Sequence, residues 1–237
     1  MMRLLLPIFI LTFYGCTQRN SDTGTMTPCQ SGTHEAIEDF RGGKIVFIRN
    51  GFLPRYDSVL EVLLDSNRIK YSFDMFGHLY RDCYPNTMDS LIKEKFGDNF
   101  VDKLELVADS LFFEEKKNTT FEYYEVDTWA MRKNNEDQLG GDFIINYLNE
   151  KLPPKSSFRF VSNIVDRPHY VIEFTVDKQG ETKNVEIKER NNTEKFKGTD
   201  KIILNEISKI KDWTPASIRN EPVTAKFQRG VAIESGE

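Results

Sequence analysis

Three histidines, three cysteines and one dense run of carboxylates are the residues whose types suit metal binding, thiol chemistry or acid–base work. His34, His78 and His169 lie in three separate segments, and none shows the HExxH or C-x-x-C spacing that puts two ligands on one side of a metal. They read as solvated or core histidines, so no metal and no cofactor is expected. His78 stands five positions before Cys83, a pairing that a thiol nucleophile and its base would need. An exported chain meets oxidising conditions, however, and no supporting motif surrounds the pair. The run FEEKKNTTFEYYEVD places Glu114, Glu115, Glu122, Glu125 and Asp127 among aromatics. Glycoside hydrolysis needs two carboxyls at a fixed separation, which a linear run does not supply, so a solvated acidic face is the simpler reading. The chain holds no GxSxG, P-loop or GxGxxG motif.

The first residues lead to the expectation that the chain is exported. MMRLLLPIFILTFYGC gives one arginine, an apolar run from Leu4 to Tyr14 and then Gly15-Cys16. The run is too short to span a bilayer and fits the apolar region of a secretory signal. FYGC resembles a bacterial lipobox, with Gly15 and Cys16 matching and Phe13 and Tyr14 bulkier than usual. That resemblance implies cleavage after residue 15 and lipid on Cys16; an ordinary signal with a chance cysteine is the alternative. The exported chain would be held by lipid at the cell envelope, on the periplasmic face or in the outer membrane. Its remaining cysteines, Cys29 and Cys83, are then candidates for a disulfide, though sequence gives no geometry for it. The net charge is −5, and losing Arg3 with the signal makes it more negative, so there is no basic footprint for nucleic acid.

The elements follow from hydrophobic period. Residues 17–42 are rich in Thr, Ser, Gly and Asn and read as a flexible tether, which with Cys16 makes residues 16–42 one anchored linker after a signal over 1–15. A first domain is expected over 43–152: a buried strand at 44–48, a helix over 56–65 capped by Asp57, and an alternating strand at 68–77. Helices over 87–113 follow, broken at Gly97-Asp98, then a strand over 123–131 and a helix over 140–152. Strand, helix, strand suggests a βαβ unit. Asp-Ser-Val at 57–59 and Asp-Ser-Leu at 89–91 and 109–111 resemble a short O-glycosylation acceptor motif. Pro153-Pro154 marks a boundary. A second domain, 153–237, opens with two alternating strands, 170–177 and 184–189, around a DKQG turn. A helix capped by Thr199 carries Ile203, Ile207 and Ile210 on one face, and VTAKFQ makes a last strand.

Val176, Asp177 and Gly180, then Trp213, Pro215 and Ala216, then Asn220, Pro222 and Val223 fall in the order of three motifs of one family. On these residues the segment 168–233 resembles the TonB C-terminal domain, in its short Bacteroidetes-type form, with Glu221 where that family usually has Gly. The resemblance implies an α+β fold: a ββαβ unit of three antiparallel strands and one helix, after a separate α+β or α/β N-terminal domain. It also implies capture of a peptide by strand addition, with the edge formed by Val223, Thr224, Ala225, Lys226, Phe227 and Gln228. The implied partner is an envelope protein or peptide segment, such as a TonB-dependent outer-membrane receptor. A binding lipoprotein that is not an enzyme is thus the leading reading. An energy transducer with a retained N-terminal anchor, and an envelope enzyme housed in 44–152, stand as alternatives.

Overall fold

The computed structural model describes residues 26–77, 79–80, 83–132 and 141–235. Cys16, the signal and His78 lie outside them. Among the described residues the fold is α+β, with six helices and several sheets, and none of these helices is long and apolar enough to cross a membrane.

Part of the expected tether is a helix, α1 (Pro28–Arg41). Thr27 caps it by accepting from Gln30 N, while the Gln30 side chain accepts from Thr27 N, and Pro28 suits a first turn that needs no N–H there. Its polar composition hid it, because only the small residues Gly32 and Ala36 are fully buried on its inner side. A disulfide joins Cys29 in its first turn to Cys83.

Strands β1 (Ile45–Asn50) and β2 (Ile69–Asp74) run parallel, in register from Ile45↔Ile69 to Asn50↔Asp74. Between them crosses α2 (Asp57–Ser66). Tyr56, not Asp57, holds its N-cap position, and the Asp57 carboxylate instead accepts from the Tyr71 hydroxyl. Next come α3 (Tyr84–Phe96) and α4 (Phe100–Lys116), parted at Gly97, whose φ of 102° ends the helix without a Cβ penalty. Ala36, Ile45, Leu60, Leu64, Ile69, Tyr84, Met88, Ile92 and Ala108 form the first core.

The second core is built around a curled sheet. After β3 (Phe121–Glu122), β4 (Met131–Arg132), α5 (Gly141–Glu150) and β5 (Phe158–Val161) come the hairpin strands β6 (His169–Val176) and β7 (Thr182–Asn191). Helix α6 (Thr199–Ile207) follows, then the short β8 (Trp213–Thr214), β9 (Ala216–Ile218) and β10 (Glu221–Val223), and finally β11 (Ala225–Ser235). The strand order is β3-β11-β6-β7, with β5 beside the far part of β11. Gly198, not Thr199, is the α6 N-cap; the Thr199 hydroxyl donates to Phe196 O and meets the Tyr170 hydroxyl.

Two further expectations change. The segment 123–131 is not a strand: between Glu122 and Met131 the backbone pairs at a single isolated bridge, Thr128 to Ser217, and of these residues Val126 and Ala130 alone are buried. The cores also do not divide at Pro153-Pro154. Ala108 of α4 belongs to the first core, whereas Phe112 and Phe113 of the same helix belong to the second, as do Phe121, Ile144, Ile145 and Leu148. Apolar side chains from 121–150 need the sheet and Trp213 to cover them, so they fold with it.

Candidate functional site

The expected binding edge, 223–228, is largely occupied from within. Val223 lies in β10 and pairs with Ala216 of β9. The Thr224 carbonyl accepts from Phe121 N at 2.9 Å. Ala225 and Lys226 are held between Val176 and Thr175 of β6 on one side and β3 on the other. Farther along, Ala232 to Ser235 pair with Val161 to Phe158 of β5. The short β3 and β5 gave no periodic signal, which is why the edge read as open along its whole length.

Among the described residues, Phe227 to Val231, between these two flanking strands, pair only with β6. Thr224 turns its carbonyl outward to β3 and Ile233 turns its N–H inward to Pro168 O. Strand alternation therefore directs the N–H and C=O of Gln228 and Gly230 to the open side. Gly230 is fitted to this place, because a Cβ there would lie 2.9 Å from Ile164 Cγ2.

Beside the open stretch is a cavity of about 340 Å³. Phe174, Val176, Ile144 and Trp213 line its depth, Phe227 and Arg229 its wall, and Tyr123 and Trp129 its mouth. Trp213 is 2% exposed and stacks on Phe174 at 6.0 Å between ring centroids. Its indole Nε1 donates to Thr182 Oγ1 at 2.8 Å, which satisfies the one polar atom of the ring. Phe227 lies 6.0 Å from Phe174, and Tyr123 meets Trp129 edge-on at 6.2 Å. The Gln228 amide is committed to Glu173 on the other face of the sheet, so its main chain is what borders the cavity. The Nε of Arg229 is buried and finds no partner, the sort of group that an acceptor from outside would satisfy. Trp213 and Phe227 were visible as an aromatic and an alternating residue; Trp129, Tyr123 and Arg229 carried no signal in the sequence, because a loop brings the first two to the third.

The free outer edge of the sheet at β7 is of a different kind. Lys183, Glu186, Lys188, Glu189 and Arg190 stud it, and such charges resist strand addition.

The remaining chemistry-bearing residues are accounted for locally. The sulfur of Cys83 is bonded to Cys29 and is no nucleophile. His34 is exposed, and His169 Nδ1 lies 2.9 Å from Arg167 O. Glu114 pairs with Lys117, Glu122 with Lys226 and Glu125 with Lys116. Asp127 joins a seam between the two cores, where Arg55 meets both Asp109 and Asp127, and Arg219 meets Asp109 at 2.6 Å. Burial pushes the Asp127 carboxyl up, but hydrogen bonds from Arg55 and from Arg219 N outweigh it and hold its pKa below 3.8. Among the described residues no group of three or more His, Cys, Asp and Glu is placed to hold a metal ion. Ser58, Ser90 and Ser110 lie in α2, α3 and α4. Comparison with protein-family models, curated proteins and solved structures finds no match to this chain.

Proposed function

We propose that this chain is an exported, lipid-anchored envelope protein that binds an extended peptide segment of another envelope protein. The observation that carries the reading is the open stretch of β11, Phe227 to Val231, lying against an aromatic cavity. An extended segment adding here would pair its main chain with Gln228 and Gly230. It would place an apolar side chain between Trp129 and Phe174 and offer an acceptor to Arg229. The antiparallel order β7-β6-β11, with α6 between β7 and β11 in sequence, supports kinship with a TonB-like ββαβ domain. In that comparison the usual edge is shortened by β3 and β5, so the segment captured is a few residues long, as a receptor's exposed peptide would supply. Binding is preferred to an enzyme in 44–152 because Glu114, Glu122, Glu125 and Asp127 are each engaged by a lysine or arginine, while the fifth carboxylate of the run, Glu115, lies exposed on α4. The anchor is assigned to Cys16 and the location to the envelope.

A photoreactive residue placed at Tyr123 in the native envelope tests the binding. The expected outcome is a discrete adduct with one envelope protein, reduced about tenfold by Trp129→Ala, the loss of one aromatic contact of ~1–2 kcal/mol. Adducts indifferent to Trp129→Ala and to Arg229→Glu would overturn it. Palmitate incorporation abolished by Cys16→Ala tests the anchor separately.

A further inference from the structure

We propose that the end of the first core formed by the loops after β1 and β2 is a lipid-surface site, which seats the molecule on the membrane that anchors it. The strands are parallel and end together at Asn50 and Asp74, so residues 51–56 and, of the second loop, the described residues 75–77 and 79–80 follow the strands from the same end of the sheet. These loops hold large apolar side chains outward: Phe52 is 93% exposed, Phe76 75%, Leu79 68%, Leu53 51% and Met75 47%. Single exposed apolar residues are ordinary, but five on two segments that follow neighbouring strands at one end of the sheet are the kind of grouping that marks an interaction surface.

The described residues of the second loop are held to their surroundings. Asp74, 3% exposed, accepts from Leu79 N at 2.9 Å. The Tyr80 hydroxyl donates to Ser72 Oγ at 2.8 Å, and its ring stacks on Tyr84 at 5.0 Å. The outward side chains are therefore presented by a braced backbone.

The disulfide decides what covers them. Cys83 closes the second loop and is bonded to Cys29, so the first turn of α1 is pinned to this same end, with Met26 62% exposed beside it. Cys16 is 13 residues upstream of Cys29, no farther than ~45 Å even along a fully extended chain. A lipid on Cys16 thus leaves the molecule where Phe52, Phe76 and Leu79 stand out, and the surface within reach is the bilayer. Aromatic and aliphatic side chains at loop tips bury at the headgroup–acyl boundary in proportion to their apolar area. Among the described residues, the flanking Arg49 and Arg55 are engaged by Glu105 and by Asp109 and Asp127, so apolar insertion is what the described side chains at this end offer. The inference rests on the lipoprotein reading only for the place of the anchor.

The chain from residue 17 onward keeps every described residue and carries no lipid. It should float with neutral phosphatidylcholine–phosphatidylethanolamine vesicles, and Phe52→Ser/Phe76→Ser should lower its partition coefficient about tenfold or more. A Phe76→Trp variant should gain emission that brominated lipid quenches. Near-UV circular dichroism identical to that of the parent verifies that the exposed substitutions leave the fold intact. No vesicle binding, or binding unchanged in the double variant, overturns the proposal. So does a vesicle-independent dimer that the double variant abolishes, since that would make the patch a contact between copies. Palmitate labelling of Cys16 with no vesicle binding would sink this inference and leave the lipoprotein reading standing; vesicle binding without labelling would do the reverse.

Discussion

At the scale of single residues, the most constrained contact is between Gly180 and Trp213. Gly180 has φ of 81°, and a Cβ built on it would lie 2.1 Å from the Trp213 carbonyl oxygen. The hairpin turn and the strand beyond α6 thus touch backbone to backbone, with Trp213 N donating to Gly180 O. Gly180→Ala combines a left-handed backbone with a collision that cannot relax into a flexible side chain, and should cost about 2–3 kcal/mol in denaturant unfolding. A loss under about 0.5 kcal/mol would show that the turn moves freely. Gly180 and Trp213 were both legible in the sequence as turn and lid, but their mutual contact was not, since it is set by how the hairpin folds back. Asp57 and Thr199 show the converse: both are good cap residues by type, yet each side chain is drawn to a tyrosine hydroxyl across the fold. A tertiary partner outbids a local cap when it is within reach.

At the scale of elements, strands of six or more residues and helices with an apolar period were readable, and the strands of two to four residues and the polar α1 were not. β6, β7, α3 and α4 lie close to where their apolar spacing put them. β3 and β5, with two and four residues, are made strands by the neighbour they pair with, and they are what narrows the β11 edge. α1 was hidden by its polar sequence and is held from outside itself, by Ala36 against the first core and by the disulfide. The bond closes a sequence separation of 54 residues, for which loss of loop entropy in the unfolded chain gives about 4 kcal/mol. Cys29→Ser/Cys83→Ser should therefore lower unfolding free energy by a few kcal/mol, with hydrogen exchange fastest in α1. Unchanged exchange there would show that packing alone retains the helix.

At the scale of the whole molecule, the seam of Arg55, Asp109, Asp127 and Arg219 ties one core to the other, and its pH response has a definite sign. The Asp127 carboxyl, held below 3.8 by Arg55 and Arg219 N, and Asp39, lowered by hydrogen bonds from Lys44 and Tyr84, bind protons more weakly folded than unfolded. Stability from these groups is complete above about pH 4 and drains away as pH falls through their depressed values. Thermal midpoints measured from about pH 6 down to about pH 3 should fall more gently in Asp127→Asn than in the parent; parallel curves would show that the seam does not titrate on unfolding. The two-domain division read from Pro153-Pro154 misjudged this scale, because prolines mark where a helix stops and not where a core ends. α4, with Ala108 in one core and Phe112 in the other, has a mechanical consequence. A pull between the disulfide-pinned amino end and a strand seated on β11 finds no slack hinge at which to yield. It travels along one helix as through a tie rod, so that load applied at β11 is felt at the disulfide-pinned end of the molecule.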